Sequence, residues 1–241
     1  MDITAQPGRD EMKANYTEQA LAEGGHYFIW LNFKFEDDFE GMNKLNRIGA
    51  RITKYSERPN LKFKYFIIDT KYKNAFAMPG GYVYVTNSLM SRVNDDQLAA
   101  ILAHEIAHIT HKHGLKKFEE FQKQAWLKSL LGQKIFFYST DLRKEMDYEL
   151  QSDITGARYL KRAGYDPAIA LSALNLLKDI DEENRRELER DMELEPERRK
   201  LIKKLIENHP PIDERIQKVS GQLDTINREE KVLFDEKDFV F

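Results

Sequence analysis

The chain has 241 residues, 38 basic against 41 acidic side chains, a formal net charge of −3, 41% hydrophobic and 33% charged residues, and no cysteine. That length and balance fit one large or two small soluble globular domains, and the interspersed charge gives no electrostatic reason to bind nucleic acid. Without Cys there are no disulfide scaffolds, thiolate metal sites or Cys nucleophiles, so any metal must be held by His and carboxylates.

The start, MDITAQPGRDEMK, lacks the apolar middle of a secretory signal, and no apolar stretch approaches the roughly 20 residues that cross a bilayer. The expected location is therefore soluble and cytoplasmic as written, or periplasmic if a signal sequence has been removed. From Tyr16 to Tyr55, apolar residues at helical spacing (Leu21, Phe28, Leu31, Phe35, Phe39, Met42, Leu45, Ile48, Ile52) predict one or two helices with these side chains facing a core. Lys62–Asp69 reads as a strand, and Ala75–Val85 as two short strands around Pro79, Gly80 and Gly81. Asn94 with Gln97 three residues on is a capping-box start for a helix over Asp95–His113, closed by Gly114. Lys116–Tyr138 is amphipathic, Asp141–Ala163 is a second long helix ending at Gly164, and Pro167 opens a third through Ile180. Asp181–Glu207 is dominated by charges of both signs and interrupted by Pro196, which reads either as a solvated pair of helices or as a flap over a cleft. No repeat or low-complexity linker divides residues 1–241, so a single domain is expected, with its cleft between the 95–113 and 141–163 helices.

The chemistry is concentrated in His104-Glu105-Ile106-Ala107-His108. Two imidazoles four residues apart lie about 6 Å apart along a helix and about 40° apart around it, so both reach one cation. The helix is apolar nearly all round, which buries two His and a Glu where water cannot satisfy them. A hydrolytic zinc site holds the metal with three protein ligands and keeps a position for water, so a third ligand is required. His111 and His113 lie too far along a straight helix to share the ion, and read instead as exposed or capping residues at a helix C-terminus. The better candidate is Glu149, which with Asp153 at i+4 forms one acidic face on the second long helix. Glu149 would bind the metal while Asp153 accepts the distal N–H of a ligating His, His104 by preference, and fixes its tautomer. One Zn2+ per chain is expected, although the same donor set also takes cobalt or nickel.

The stretches NAFAMPGGYVYVTNSLM, LAAILAHEIAHITHKH, DYELQSDITGARYLKRAGYDP and NHPPIDERI together resemble the M48 family of gluzincin metallopeptidases, over about Thr17 to Val219. The resemblance implies an α+β, mainly helical zincin fold with a small sheet beside the active-site helix. It implies zinc on His104, His108 and Glu149, with Glu105 as catalytic base, and its one departure is Ser152 where the family usually has Ala. It also implies that a substrate strand pairs with the edge formed by Asn74, Ala75, Phe76 and Ala77. His209 falls at a family position near the cleft, for the oxyanion or for competition with water at zinc, and Arg215 is an alternative anion-binding group. The expected function is a zinc endopeptidase acting on unfolded or extended polypeptides, the alternative being a latent or non-catalytic zinc protein with a holdase or interaction role. Peripheral membrane contact through Trp126, Leu127, Leu130, Leu131, Ile135, Phe136 and Phe137 is kept open by their amphipathic spacing. The sequence is silent on oligomeric state.

Overall fold

A computed structural model describes residues 9–120, 142–191, 193–206 and 211–229. In chain order these form α1 (Arg9–Asn32), β1 (Lys34–Phe35), α2 (Phe39–Thr53), β2 (Lys64–Asp69), β3 (Ala75–Met78), β4 (Tyr82–Thr86), α3 (Asn87–Met90) and α4 (Asp95–Thr110). After α4 come α5 (Leu142–Arg162), α6 (Ile169–Arg190), α7 (Pro196–Ile206) and α8 (Ile212–Arg228). The result is the expected mainly helical α+β fold.

The four strands form one mixed sheet in the order β1-β2-β4-β3. β2 and β4 run parallel with Ile67 opposite Val85, and β3 pairs antiparallel with β4, Ala75 opposite Val85. Alternation along the strands sends side chains to two separate cores. Ile67, Val83 and Val85 pack with α2, α4, α5, α6 and α8, whereas Ile68, Tyr82 and Tyr84 pack under α1 with Ala22, Ile29 and Phe33. β4 is buried at every position because both faces of the sheet are covered. Among the described residues β3 is an edge strand, and its inner face lies against α4. The turn from β3 to β4 holds Gly80 at φ 75° and Gly81 at φ 94°, left-handed conformations that glycine adopts without a Cβ penalty.

Three expectations need correction. Phe28, Leu31 and Phe39 do not face a core: they are 49%, 58% and 78% exposed. α1 carries apolar residues on both faces, and the sheet selects the one defined by Ala22, Ile29 and Phe33. Phe35 is not helical but sits in β1, paired with Ile68. The third long helix does not stop at Ile180; it continues to Arg190 because Asn184 and Leu188, one turn apart, are both buried. The Asn184 amide accepts the Lys73 N–H at 2.9 Å and donates to the Lys73 carbonyl at 2.8 Å, and the Tyr72 hydroxyl donates to Asp191. The charged 181–207 segment thus packs, through α6 and α7, on the stretch that leads into β3.

Candidate metal centre

α4 begins with the expected capping box: the Gln97 N–H donates to Asn94 Oδ1 at 2.8 Å and the Asn94 N–H to Gln97 Oε1 at 3.2 Å. Its middle is buried on all sides except at His104 and His108, which are half-buried and share one face. α5 crosses that face closely. A Cβ at Gly156 would stand 3.1 Å from the His104 backbone nitrogen and 3.2 Å from the Ala103 carbonyl carbon, so glycine allows an approach that any side chain would push apart by a few tenths of an ångström. The contact brings Glu149 and Asp153, one turn apart on α5, against the two imidazoles.

His104 Nε2 and His108 Nε2 are 3.0 Å apart, and the Glu149 carboxylate reaches them with Oε2 at 3.3 Å and Oε1 at 3.2 Å respectively. Ligand atoms of the three residues lie within 4.8 Å of one another. A tetrahedral ion with bonds of about 2.0–2.1 Å separates its ligand atoms by about 3.3 Å, so this donor set fits a small cation such as zinc. On the far side of the ring, His104 Nδ1 meets Asp153 Oδ1 at 2.8 Å. Arg215 grips Asp153 with two hydrogen bonds, Nε to Oδ2 at 2.7 Å and Nη2 to Oδ1 at 2.8 Å, and sets Nη1 3.1 Å from Glu149 Oε2.

The electrostatics favour a cation. Burial opposes a charged His104, yet Asp153 and Glu149 outweigh it and raise its pKa to about 10. Burial pushes the Asp153 carboxyl up, but Arg215 and His104 together hold it below the usual carboxylate range. Glu105 is buried on the same helix and lines, with His104, Asn74 and Ala75, an apolar pocket walled by Ile101 and Leu174.

The structure brings together His104, His108, Glu149 and Asp153, with Glu105, Asn74 and Ala75 beside them. Phe76 points to the other side of the sheet, stacked on Tyr84, while Ala77 packs toward the α4 side. Arg215, expected as an alternative anion-binding group, is fully buried with its guanidinium on the carboxylates of Asp153 and Glu149. His209 and the apolar residues from Trp126 to Phe137 lie outside the described residues.

Comparison with known proteins bears directly on this geometry. The sequence model described as "Peptidase family M48" matches residues 41–223, which include every residue of the centre. The chain belongs to peptidase family M48. This M48 chain is 27% identical to the beta-barrel assembly-enhancing protease of Escherichia coli (strain K12) over 156 residues, 56% of the chain and 32% of that protein. It is 30% identical to the mitochondrial metalloendopeptidase OMA1 of Schizosaccharomyces pombe over 138 residues, 52% of the chain and 41% of that protein. A protease HtpX homolog of Helicobacter acinonychis is 35% identical over 75 residues, 29% of the chain and 24% of that protein. The chain therefore spans about a third of the first of these relatives. No helix among the described residues is long and apolar enough to cross a membrane.

One residue of this M48 centre is misread from sequence. His113, expected to be exposed or capping, is 1% exposed and sets its Nδ1 3.0 Å from His108 Nδ1. The helix does not run straight to Gly114. It ends at Thr110, and Lys112 turns left-handed at φ 56°, folding His113 back onto the preceding turn. The signal available in the sequence is that the apolar periodicity of the helix stops at Ile109 and Thr110, so His113 lies past its end. Burial, then the neighbouring His108 ring, lower the His113 pKa to about 3.

Proposed function

We propose that the chain is a zinc-dependent endopeptidase that hydrolyses peptide bonds in unfolded or extended polypeptides. The observation that carries this reading is the convergence of His104 Nε2, His108 Nε2 and the Glu149 carboxylate within 4.8 Å, beside a buried Glu105. His104, His108 and Glu149 would hold the ion. Zinc bound there supplies Lewis acidity, both to the scissile carbonyl and to the water that attacks it near neutral pH.

The chain's own groups do the rest. Glu105, not counted among the ligands, takes the proton of the attacking water on its carboxylate and delivers it to the leaving nitrogen. Asp153, gripped by Arg215, accepts the His104 Nδ1–H and keeps Nε2 turned to the ligand position. β3 offers the sheet edge next to the site, where an extended substrate adds as an antiparallel strand through backbone pairing. Asn74 helps hold that edge in register, its N–H donating to Thr86 Oγ1 at 2.9 Å. Recognition through backbone groups suits an extended chain of varied sequence. His209, outside the described residues, is kept in this proposal as a candidate group for the oxyanion or for competition with water at zinc.

The test is hydrolysis of denatured casein by the zinc-loaded wild type beside Glu105→Gln, with bound metal measured in both. The expected outcome is cutting by the wild type and a loss of at least about 100-fold in the variant, with zinc content unchanged. Equal loss of zinc in Glu105→Gln would refute the division between ligand and base.

A further inference from the structure

We propose that His113 is a positioning residue for the metal: it fixes the tautomer and orientation of His108 through a one-way chain of hydrogen bonds that runs from the centre outward. The proposal rests on the metal-centre reading above and adds a residue which that chemistry does not itself require. The Nδ1 atoms of His108 and His113 are 3.0 Å apart, so one must donate and the other accept. A cation on His108 Nε2 needs that nitrogen's lone pair, which places the His108 proton on Nδ1. His113 Nδ1 is then the acceptor, and its own proton sits on Nε2, 2.9 Å from Gln151 Oε1. The direction continues outward. The Gln151 amide N–H faces His111 Nδ1 at 3.4 Å, and His111 Nε2–H donates to Thr155 Oγ1 at 2.9 Å.

Every link takes the same polarity, and reversing it would put a proton on the His108 nitrogen that faces the metal. The His113 ring is held for this task on both sides. It stacks on Tyr148 with centroids 4.4 Å apart and planes 23° apart, and the buried Ser152 hydroxyl lies 3.3 Å from its Nδ1. The left-handed Lys112 delivers it there. The two imidazole ligands are thereby backed in different ways, His104 by an anion braced with a guanidinium and His108 by a neutral imidazole and an amide.

The experiment measures zinc affinity by competition with a chromophoric chelator, for the wild-type chain, His113→Leu, His113→Asn and Gln151→Leu, with the visible spectrum of the cobalt(II)-substituted proteins as a second readout. Asn places Oδ1 where the imidazole had Nδ1, so it restores the acceptor while filling less space than Leu. The expected result is a 10–100-fold loss of zinc affinity in His113→Leu, with a changed cobalt spectrum, and recovery of most of both in His113→Asn. Gln151→Leu, at an exposed position, is expected to weaken zinc by a few fold, and it keeps the test open if His113→Leu does not fold. Equal affinity in wild type and His113→Leu would overturn the proposal, as would equal losses in Leu and Asn, which mark a space-filling role. Unchanged affinity in Gln151→Leu would overturn the chain beyond His113. If the wild type itself takes up no zinc, the metal-centre reading fails, a result distinct from normal uptake that is indifferent to residue 113.

Discussion

Two carboxylate–guanidinium pairs among the described residues brace α4, one part-buried and one fully buried, and they differ in what surrounds them. Glu18 meets Arg58 with two bonds of 2.7 and 3.0 Å, and the remaining contacts of the pair go to peptide groups: the Gly80 N–H donates to Glu18, and Arg58 donates to the Ile109 carbonyl. Asp153 meets Arg215 with bonds of 2.7 and 2.8 Å, but the remaining contacts of this pair go to ionisable side chains: Asp153 meets His104, and Arg215 meets Glu149. The first pair is satisfied by backbone and ties α1, the β3–β4 turn and the end of α4 together. The second is tied to groups whose charge a metal changes. The same chemical pair is a fold clamp in one setting and part of the candidate metal centre in the other, and neighbouring groups, not the pair's own geometry, set that difference.

The largest effects should come from cutting each pair at its cation. Arg215→Met leaves the Asp153 and Glu149 carboxylates buried without their guanidinium. It is expected to cost about 3–5 kcal/mol of stability and to weaken zinc about 10–100-fold through loss of ligand orientation. Arg58→Met is expected to lose somewhat less stability, since Arg58 is 20% exposed, and to keep wild-type zinc affinity and wild-type hydrolysis per folded molecule. Urea unfolding with zinc titration of both variants checks this. Equal loss of zinc affinity in the two would break the distinction.

The contrast also separates what could be read in the sequence from what could not. Glu149 and Asp153 are legible because helical i,i+4 spacing puts two carboxylates on one face, a costly arrangement unless cations meet it. α4 is legible from its capping box and its apolar surface. Arg215 is legible only as a charge, because its burial depends on α8 packing against α5, a contact that local periodicity does not encode. His113 is lost for a similar reason: its return to His108 depends on a left-handed turn at a lysine, and lysine does not announce one. The outer face of α1 and the two-residue β1 are misread because the choice between two apolar helix faces, and the pairing of Phe35 with Ile68, are made by the sheet.

Acid should sharpen the comparison at smaller amplitude. Burial pushes the Glu18 carboxyl up, but Arg58 and the Gly80 N–H overcome this and hold it below its ordinary value of 4.5. A depressed folded value means the pair's contribution is fully present above the unfolded value and is lost as pH falls through the folded one. The stability gap between wild type and Glu18→Gln is therefore expected to be constant near neutrality and to narrow progressively below about pH 4.5. Chemical denaturation at pH 7, 5, 4 and 3 measures it. A gap that stays constant down to pH 3 would show that the charge of Glu18 contributes nothing to the clamp.

The smallest effect concerns the junction between the two regions, where α4 ends near the Ile109 carbonyl held by Arg58 and the chain turns to deliver His113. Lys112 takes φ 56° there, a conformation that costs a residue bearing a Cβ about 1–2 kcal/mol and costs glycine almost nothing. Glycine in turn loses more backbone entropy on folding, by about 0.5–1 kcal/mol. Lys112→Gly is therefore expected to leave stability unchanged or to raise it by up to about 1.5 kcal/mol, less the attraction of Lys112 for Glu18, read as the change in melting temperature. Because the left-handed turn is retained, His113 still returns to His108, and zinc affinity is expected to stay at the wild-type value. Lys112→Pro cannot adopt a positive φ, so in that variant the turn fails and zinc affinity falls toward that of His113→Leu. Gly and Pro at one position, read by melting temperature and by zinc competition, thus separate the stability of the helix end from the delivery of the histidine beyond it.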